Sequence, residues 1–213
     1  MKRIMRGQKN SIVSSFFFRW SGLTAALAGV LFALWGYVHR PNAPSLFDAL
    51  VGPLSLAVPL LFLMGFAGLY VRCKGQTGWL GTAGFILAFA ASVWGAVWGA
   101  AQLSAVVPNV VYGYIISIGL PLSLATGWFQ MLLAALVLIG LRLIRVKGLR
   151  GLSAVVLAMG GVGWLHVLTD PGDNGEGYVV HALFGLLFSL GWVVLGCVLW
   201  NQSTHGESIA RSR

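Results

Sequence analysis

Four residues whose side chains can bind metals fall close to the ends of long apolar segments: His39, His166, Asp170 and His181. The spacing of four between His166 and Asp170 places both side chains on one face of a helix. Three imidazoles and one carboxylate can hold a zinc ion and leave a coordination position for water. This set predicts a metal-dependent hydrolase, and a haem held by two of the histidines is an alternative. Histidine and aspartate also occur at such positions without a ligand, so the cofactor stays unknown.

A second group of residues indicates a path for a neutral or lipophilic solute. Pro53 and Pro59 share one apolar segment, and each proline removes a helical hydrogen bond and favours a bend. Thr126 and Gln130 add neutral polar groups to another segment. An amide in hydrocarbon needs a partner, and a hydrogen bond to a neighbouring helix is the alternative to a solute contact. None of the Asp, Glu, Lys or Arg residues lies deep in an apolar segment, which disfavours proton pumps and ion-coupled carriers.

Small residues at helical spacing predict close packing between helices. Six residues form two such groups, the second with its flanking tryptophans: Ala25 and Gly29, then Trp94, Gly95, Trp98 and Gly99. Lipid gives helices no hydrophobic reason to associate, so close backbone approach and dispersion drive their packing. These residues are expected to pack helices together or to bind a partner membrane protein. The two tryptophans can instead stack on a flat pigment.

The composition places all of these residues in a membrane protein. Of 213 residues 58% are hydrophobic and 9% are charged, with a mean hydropathy of +0.85, whereas a soluble domain has about 25% charged residues. The soluble α/β, β-sandwich and disulfide-stapled classes are therefore excluded. Cys73 and Cys197 form no CxxC pair, and the chain has no Walker loop, GxSxG or HExxH motif.

The lengths of the apolar segments predict six membrane-spanning helices. A helix needs about 20 apolar residues to cross the hydrocarbon core. The 67-residue uncharged stretch from residue 75 to 141 is too long for one span and is broken by polar residues and a proline near residue 108. We predict an all-α integral membrane bundle, a single domain over residues 1–213, with spans at about 17–39, 49–71, 78–103, 121–143, 151–169 and 178–200.

The charges between the segments predict the orientation of the bundle. With the N-terminus inside, every Lys and Arg except Arg40 falls on the inner side, and four of the five acidic residues fall outside. Short loops follow the positive-inside rule, so both termini are expected in the cytoplasm. The net charge of +9 is then explained by topology and anionic lipid, and it calls for no nucleic-acid partner.

One local sequence pattern carries a resemblance. Residues 61–72, LFLMGFAGLYVR, followed by residues 78–87, GWLGTAGFIL, resemble a pattern that recurs in small uncharacterised bacterial polytopic membrane proteins. The pattern covers about one tenth of the chain. The resemblance implies a setting in the bacterial plasma (inner) membrane, assigns no activity and transfers no site residues.

These patterns together favour a non-enzymatic function. We expect an accessory or scaffold protein that contacts the lipid bilayer and binds a partner membrane protein, lipid or a second copy of itself through its small-residue helix faces. One alternative is a carrier for a neutral or lipophilic solute. The other is an outer-face metal-dependent membrane hydrolase that uses the three histidines and the aspartate named first.

Overall fold

Six helices lie in the part of the chain that the computed structural model describes. It describes residues 2–38, 48–73, 75–103, 122–146, 149–168 and 178–211, with side-chain surroundings for 19–37, 50–73, 75–101, 127–146, 149–168 and 179–201. The helices are α1 (Lys2–Val38), α2 (Asp48–Cys73), α3 (Gly78–Leu103), α4 (Leu122–Leu143), α5 (Arg150–Leu168) and α6 (Tyr178–Arg211). The predicted all-α class is therefore confirmed.

Four of the predicted segments match their helices to within two residues at both ends, and the two outer ones are extended. Helix α1 begins at Lys2 rather than near residue 17, and α6 continues to Arg211 rather than ending near residue 200. Neither extension contains a proline, so nothing stops the backbone from continuing as a helix beyond the apolar part.

Five of the six helices are long and apolar enough to cross a membrane. The candidate spans are Arg19–Tyr37, Leu50–Cys73, Gly78–Ala101, Arg150–Leu168 and Val179–Asn201. In α4 the apolar stretch within the described side chains, Gly127–Leu143, is shorter. The chain is thus a helical bundle with several candidate transmembrane helices, in contact with the lipid bilayer.

A tight turn joins α2 to α3. The Gln76 N–H donates to the Cys73 carbonyl oxygen at 2.9 Å as α2 ends. Gly75 and Gly78 have positive φ angles of 84° and 54°, a conformation that glycine adopts without the steric cost of a Cβ atom. This turn makes α2 and α3 antiparallel neighbours.

The helices form a closed ring in chain order. Each helix packs against the preceding and the following helix, and α1 packs against α6. In the last of these contacts Gly22 lies against Gly196 and Gly29 lies against Ser189, so α1 and α6 are antiparallel. The last helix therefore packs against the first, and neither of the two lies at an open edge of the bundle.

Aromatic side chains fill the middle of the ring. We call this group the aromatic centre; its members are Phe32, Phe62, Phe66, Phe129, His166, Phe188 and Trp192. Phe32 of α1 and Phe129 of α4 stack with ring centroids 5.4 Å apart, although α1 and α4 stand on opposite sides of the ring. Side chains thus meet across the axis of the bundle at this level.

The two ends of the bundle differ in chemistry. At one end, which we call the arginine end, lie the α2–α3 turn and the arginines whose side chains are described: Arg19, Arg72, Arg142, Arg145 and Arg150. At the other end, the histidine end, α5 finishes and α6 begins, with His166 and His181.

Candidate functional site

The histidine end contains a reciprocal pair of imidazoles. Nδ1 of His166 lies 2.9 Å from the backbone oxygen of His181, and Nδ1 of His181 lies 2.9 Å from the backbone oxygen of His166. The two rings stack with centroids 3.7 Å apart and planes 27° apart. Phe32 and Phe129 contact the His166 ring edge-on at 6.2 and 6.1 Å.

The hydrogen bonds define the tautomers of this pair. A carbonyl oxygen only accepts, so each Nδ1 carries the hydrogen, and in the neutral ring Nε2 holds the lone pair. That lone pair lies in the plane of the ring. Because the stacked planes of His166 and His181 differ by only 27°, their lone pairs do not converge on one ion at the zinc–nitrogen distance of about 2.1 Å. A shared ion would require the rings to turn.

The structure brings together two members of the predicted metal set. His166 and His181 are in contact, while His39 and Asp170 lie outside the described residues. Among the residues that are described, no group of three or more His, Cys, Asp or Glu side chains is arranged to hold a metal. The four-residue metal site therefore stays a prediction.

Part of the predicted solute path and the GxxxG pair meet at one junction between helices. We call it the Ser55 junction; it comprises Trp35, Ser55, Pro59, Gly95 and Gly99. The Trp35 indole N–H donates to the Ser55 hydroxyl at 2.9 Å, which links α1 to α2. A Cβ on Gly99 would overlap the carbonyl group of Ser55, and one on Gly95 would lie 3.0 Å from Pro59.

The Ser55 junction has a backbone explanation. Pro59 has no N–H, so the Ser55 carbonyl, four residues earlier, lacks its usual helical donor. The missing side chain of Gly99 lets the α3 backbone approach this carbonyl, where Cα–H groups offer a weak donor. Gly95 also abuts the Trp128 ring of α4, which would lie 2.8 Å from a Cβ placed on Gly95. The GxxxG pair thus packs α3 against both of its neighbours.

The small residues of α1 have the same kind of role. A Cβ on Gly29 would overlap the Ser189 carbonyl oxygen of α6, and Ala25 is fully buried against Gly65 of α2. Together with Gly95 and Gly99, these residues contact helices of their own chain. A partner would therefore have to contact other surfaces, and partner binding itself stays a prediction.

The remaining predicted residues are exposed or half-buried, or their side chains lie outside the described set. Trp94 is exposed and Trp98 is half-buried, and Pro53 is exposed near the start of α2. Gln130 is exposed beside the exposed Met131. The expected amide contact with a neighbouring helix is therefore not seen at Gln130. The side chain of Thr126 is outside the described set.

Besides the histidine pair, two further polar contacts among the described residues were not predicted from the sequence. The Arg142 Nε–H donates to the Thr77 carbonyl oxygen at 2.8 Å, which ties α4 to the α2–α3 turn. The Trp35–Ser55 bond at 2.9 Å is the second. A serine between two prolines and an arginine in the last turn of a helix are the signals that the sequence offers, but neither signal identifies the partner of the contact.

The comparisons with known proteins identify no family. The chain matches no protein-family model, no curated protein and no solved structure. The predicted likeness to small bacterial membrane proteins is thus supported only as far as an all-helical chain with five candidate membrane spans.

Proposed function

We propose that this chain is a non-enzymatic accessory or scaffold protein of the membrane, which binds a partner membrane protein through the outer faces of its helices. The observation that carries the proposal is the stack of Phe32 on Phe129 across the ring, at 5.4 Å. A ring whose opposite helices meet through aromatic side chains is a packed body rather than a channel. This packing favours a function in which the outer surface of the bundle binds another molecule.

The positions of the described residues weigh against the carrier alternative. A carrier needs polar groups that face a route along the bundle. Gln130 is exposed on the outside of α4, and Pro59 is buried against Gly95 in a contact between helices. Gln130 and Pro59 therefore do not line a common route along the bundle.

The outer face of α6 is the surface we assign to the partner. Exposed aliphatic residues follow one another at helical spacing along it: Val179, Leu183, Leu186, Leu190 and Val194. Lipid tails can cover such a face, and so can an apolar helix of another protein. A test must therefore distinguish a protein contact from a lipid contact.

We also propose the orientation of the bundle and the membrane that contains it. All arginines with described side chains belong to the arginine end, and from the positive-inside rule we infer that this end faces the cytoplasm together with both termini. On this proposal α4 crosses the bilayer as the sixth span, since its antiparallel neighbours fix its direction. The bacterial plasma membrane is the setting that the sequence resemblance favours.

Site-specific photo-crosslinking in native membranes tests the proposed role. A photoreactive residue in place of Leu186, on the outer face of α6, is expected to give one discrete protein adduct of fixed mass. The same residue in place of Leu195, which is buried, serves as the matched control and is expected to give only links within the chain. Adducts of Leu186 with lipid alone would overturn the proposal.

A further inference from the structure

The arginine end concentrates positive charge. Arginines from four helices and the turn that follows α4 belong to it: Arg19, Arg72, Arg142, Arg145 and Arg150. The side chains that the structure describes include no Asp and no Glu. A cluster of guanidinium groups in excess of carboxylates has a net attraction for anions from outside the chain.

Arg72 carries the clearest sign of an external partner. It lies in the last turn of α2, four residues after Gly68, whose absent side chain leaves room for Ser21 of α1. Its Nε atom is buried and has no hydrogen-bond acceptor among the described residues. Burying part of a guanidinium without an acceptor is costly, and the Arg72 side chain as a whole is only half-buried. A phosphate or carboxylate oxygen from another molecule that binds the remaining N–H groups of Arg72 would offset this cost.

Arg142 presents a second guanidinium at the same end. Its Nε–H donates to the Thr77 carbonyl oxygen at 2.8 Å, which fixes the side chain over the α2–α3 turn. Arginine has five N–H donors in a planar group that suits phosphate oxygens. One bond to Thr77 therefore orients the group and leaves most of its donors for an anion.

Exposed tryptophans place this end in the headgroup layer. Trp20 of α1, Trp79 of α3 and Trp200 of α6 are 50%, 82% and 42% exposed. Each is tied to the arginine end: Trp20 follows Arg19, Trp79 follows the glycine that abuts Arg142, and Trp200 lies against Gly22. Tryptophan is enriched where a membrane protein meets the membrane–water interface. This distribution supports a location of the arginines near the depth of the lipid phosphates.

We propose that the arginine end binds the phosphate groups of anionic phospholipids, with Arg72 and Arg142 as the main contacts. Arg145 and Arg150, both exposed, add attraction at longer range. Lipid is the source of the phosphate, rather than a soluble ion, because the tryptophans set these arginines at the headgroup layer. The inference does not depend on a protein partner and can hold or fail separately from the proposed function.

Thermal unfolding of delipidated protein in a neutral detergent tests the proposal. Phosphatidylglycerol in mixed micelles is expected to raise the unfolding temperature more than phosphatidylcholine does, because a ligand that binds only the folded state stabilises it. Arg72→Gln and Arg142→Gln are each expected to weaken the apparent affinity for phosphatidylglycerol about fivefold. The double variant is expected to weaken it about twentyfold or more.

Arg211→Gln is the matched control, since it makes the same change in net charge about 16 Å further along α6 than Trp200. It is expected to change the affinity less than about twofold, because charges beyond the Debye length are screened. Unfolding in phosphatidylcholine alone shows whether each variant folds. If the double variant does not fold, the affinities of the two single variants test the proposal. Equal effects of the two lipids, unchanged affinity in the single variants, or the same stabilisation by inorganic phosphate would overturn the proposal.

Discussion

His166 and His181 each donate a ring N–H to the backbone carbonyl oxygen of the other, at 2.9 Å in both directions. His166 lies in the last turn of α5, where carbonyl groups have no helical donor. The His181 ring therefore supplies the missing donor to the end of α5, and the stacked rings fasten α5 to α6. The pair therefore gives both histidines a structural role in joining these helices.

Replacing these histidines with phenylalanine tests the reciprocal pair. Phenylalanine keeps an aromatic ring for stacking but removes the N–H donor, so His166→Phe and His181→Phe are each expected to lower the free energy of unfolding by about 1 kcal/mol. Because the two residues are in contact, the double variant is expected to show a coupling energy of about 0.5 kcal/mol or more. Chemical denaturation in detergent measures all four proteins. Strictly additive losses would show that the two rings do not act as a pair.

Bound zinc is the readout for the hydrolase alternative. The stacked planes of His166 and His181 do not aim two lone pairs at one ion, so the amount of zinc in purified protein is expected to be the same in the parent and in His166→Phe. Elemental analysis, with an absorbance spectrum for haem, measures this directly. Stoichiometric zinc that disappears in the variant would establish the metal site instead.

The close approach of α3 to the Ser55 carbonyl predicts a strong effect at Gly99. A Cβ there would overlap backbone atoms of Ser55, which cannot rotate away, so Gly99→Ala is expected to destabilise the protein by about 2 kcal/mol. Gly161→Ala is the control, because open space surrounds Gly161 in the middle of α5, and its effect is expected to be neutral or slightly stabilising. Thermal unfolding of both variants is the measurement, and equal losses would contradict the assigned packing.

The hydrogen bond from Trp35 predicts a smaller effect at Ser55. Ser55→Ala removes the acceptor of the indole N–H and is expected to lower the free energy of unfolding by about 1 kcal/mol. Ser92 is also buried, but its hydroxyl donates at 2.8 Å to Ala88 of its own helix. Ser92→Ala is therefore expected to change stability less. An equal or larger loss for Ser92→Ala would argue against the bond between α1 and α2.

The sequence predicts the helices well because membrane hydropathy is a local property. The span predicted at 78–103 coincides with α3, and the freed carbonyl of Ser55 follows from Pro59 alone. The contact of Gly99 with that carbonyl could not be predicted, because the spacing of small residues does not show whether Gly99 faces another helix of its own chain or a second chain. That depends on the order of helices around the ring.

The position of Gln130 differs from the one that its local sequence predicts. An amide in an apolar segment is expected to face another helix, yet Gln130 is exposed. Trp128 packs against Gly95 of α3, and Phe129 packs into the aromatic centre. These two large rings set the rotation of α4, and the residue after them is left on the outside. The packing of Trp128 and Phe129 thus determines the rotation of α4 about its axis and outweighs the preference of the Gln130 amide for a polar partner.

The closed ring is the feature on which the proposed scaffold role depends, and the contact of α1 with α6 closes it. Gly22 and Gly196 meet there, with the exposed Leu23 and Cys197 following them on antiparallel helices. With the buried Cys73 replaced by alanine, the measurement is cross-linking of Leu23→Cys to Cys197 in native membranes by a short bifunctional thiol reagent. Ile86→Cys, exposed on α3 across the ring, is the control.

The closed ring predicts a link within one chain for Leu23→Cys, identified by mass spectrometry of the monomer, and no such link for Ile86→Cys. Links that join only two separate chains, or equal links in both variants, would contradict it.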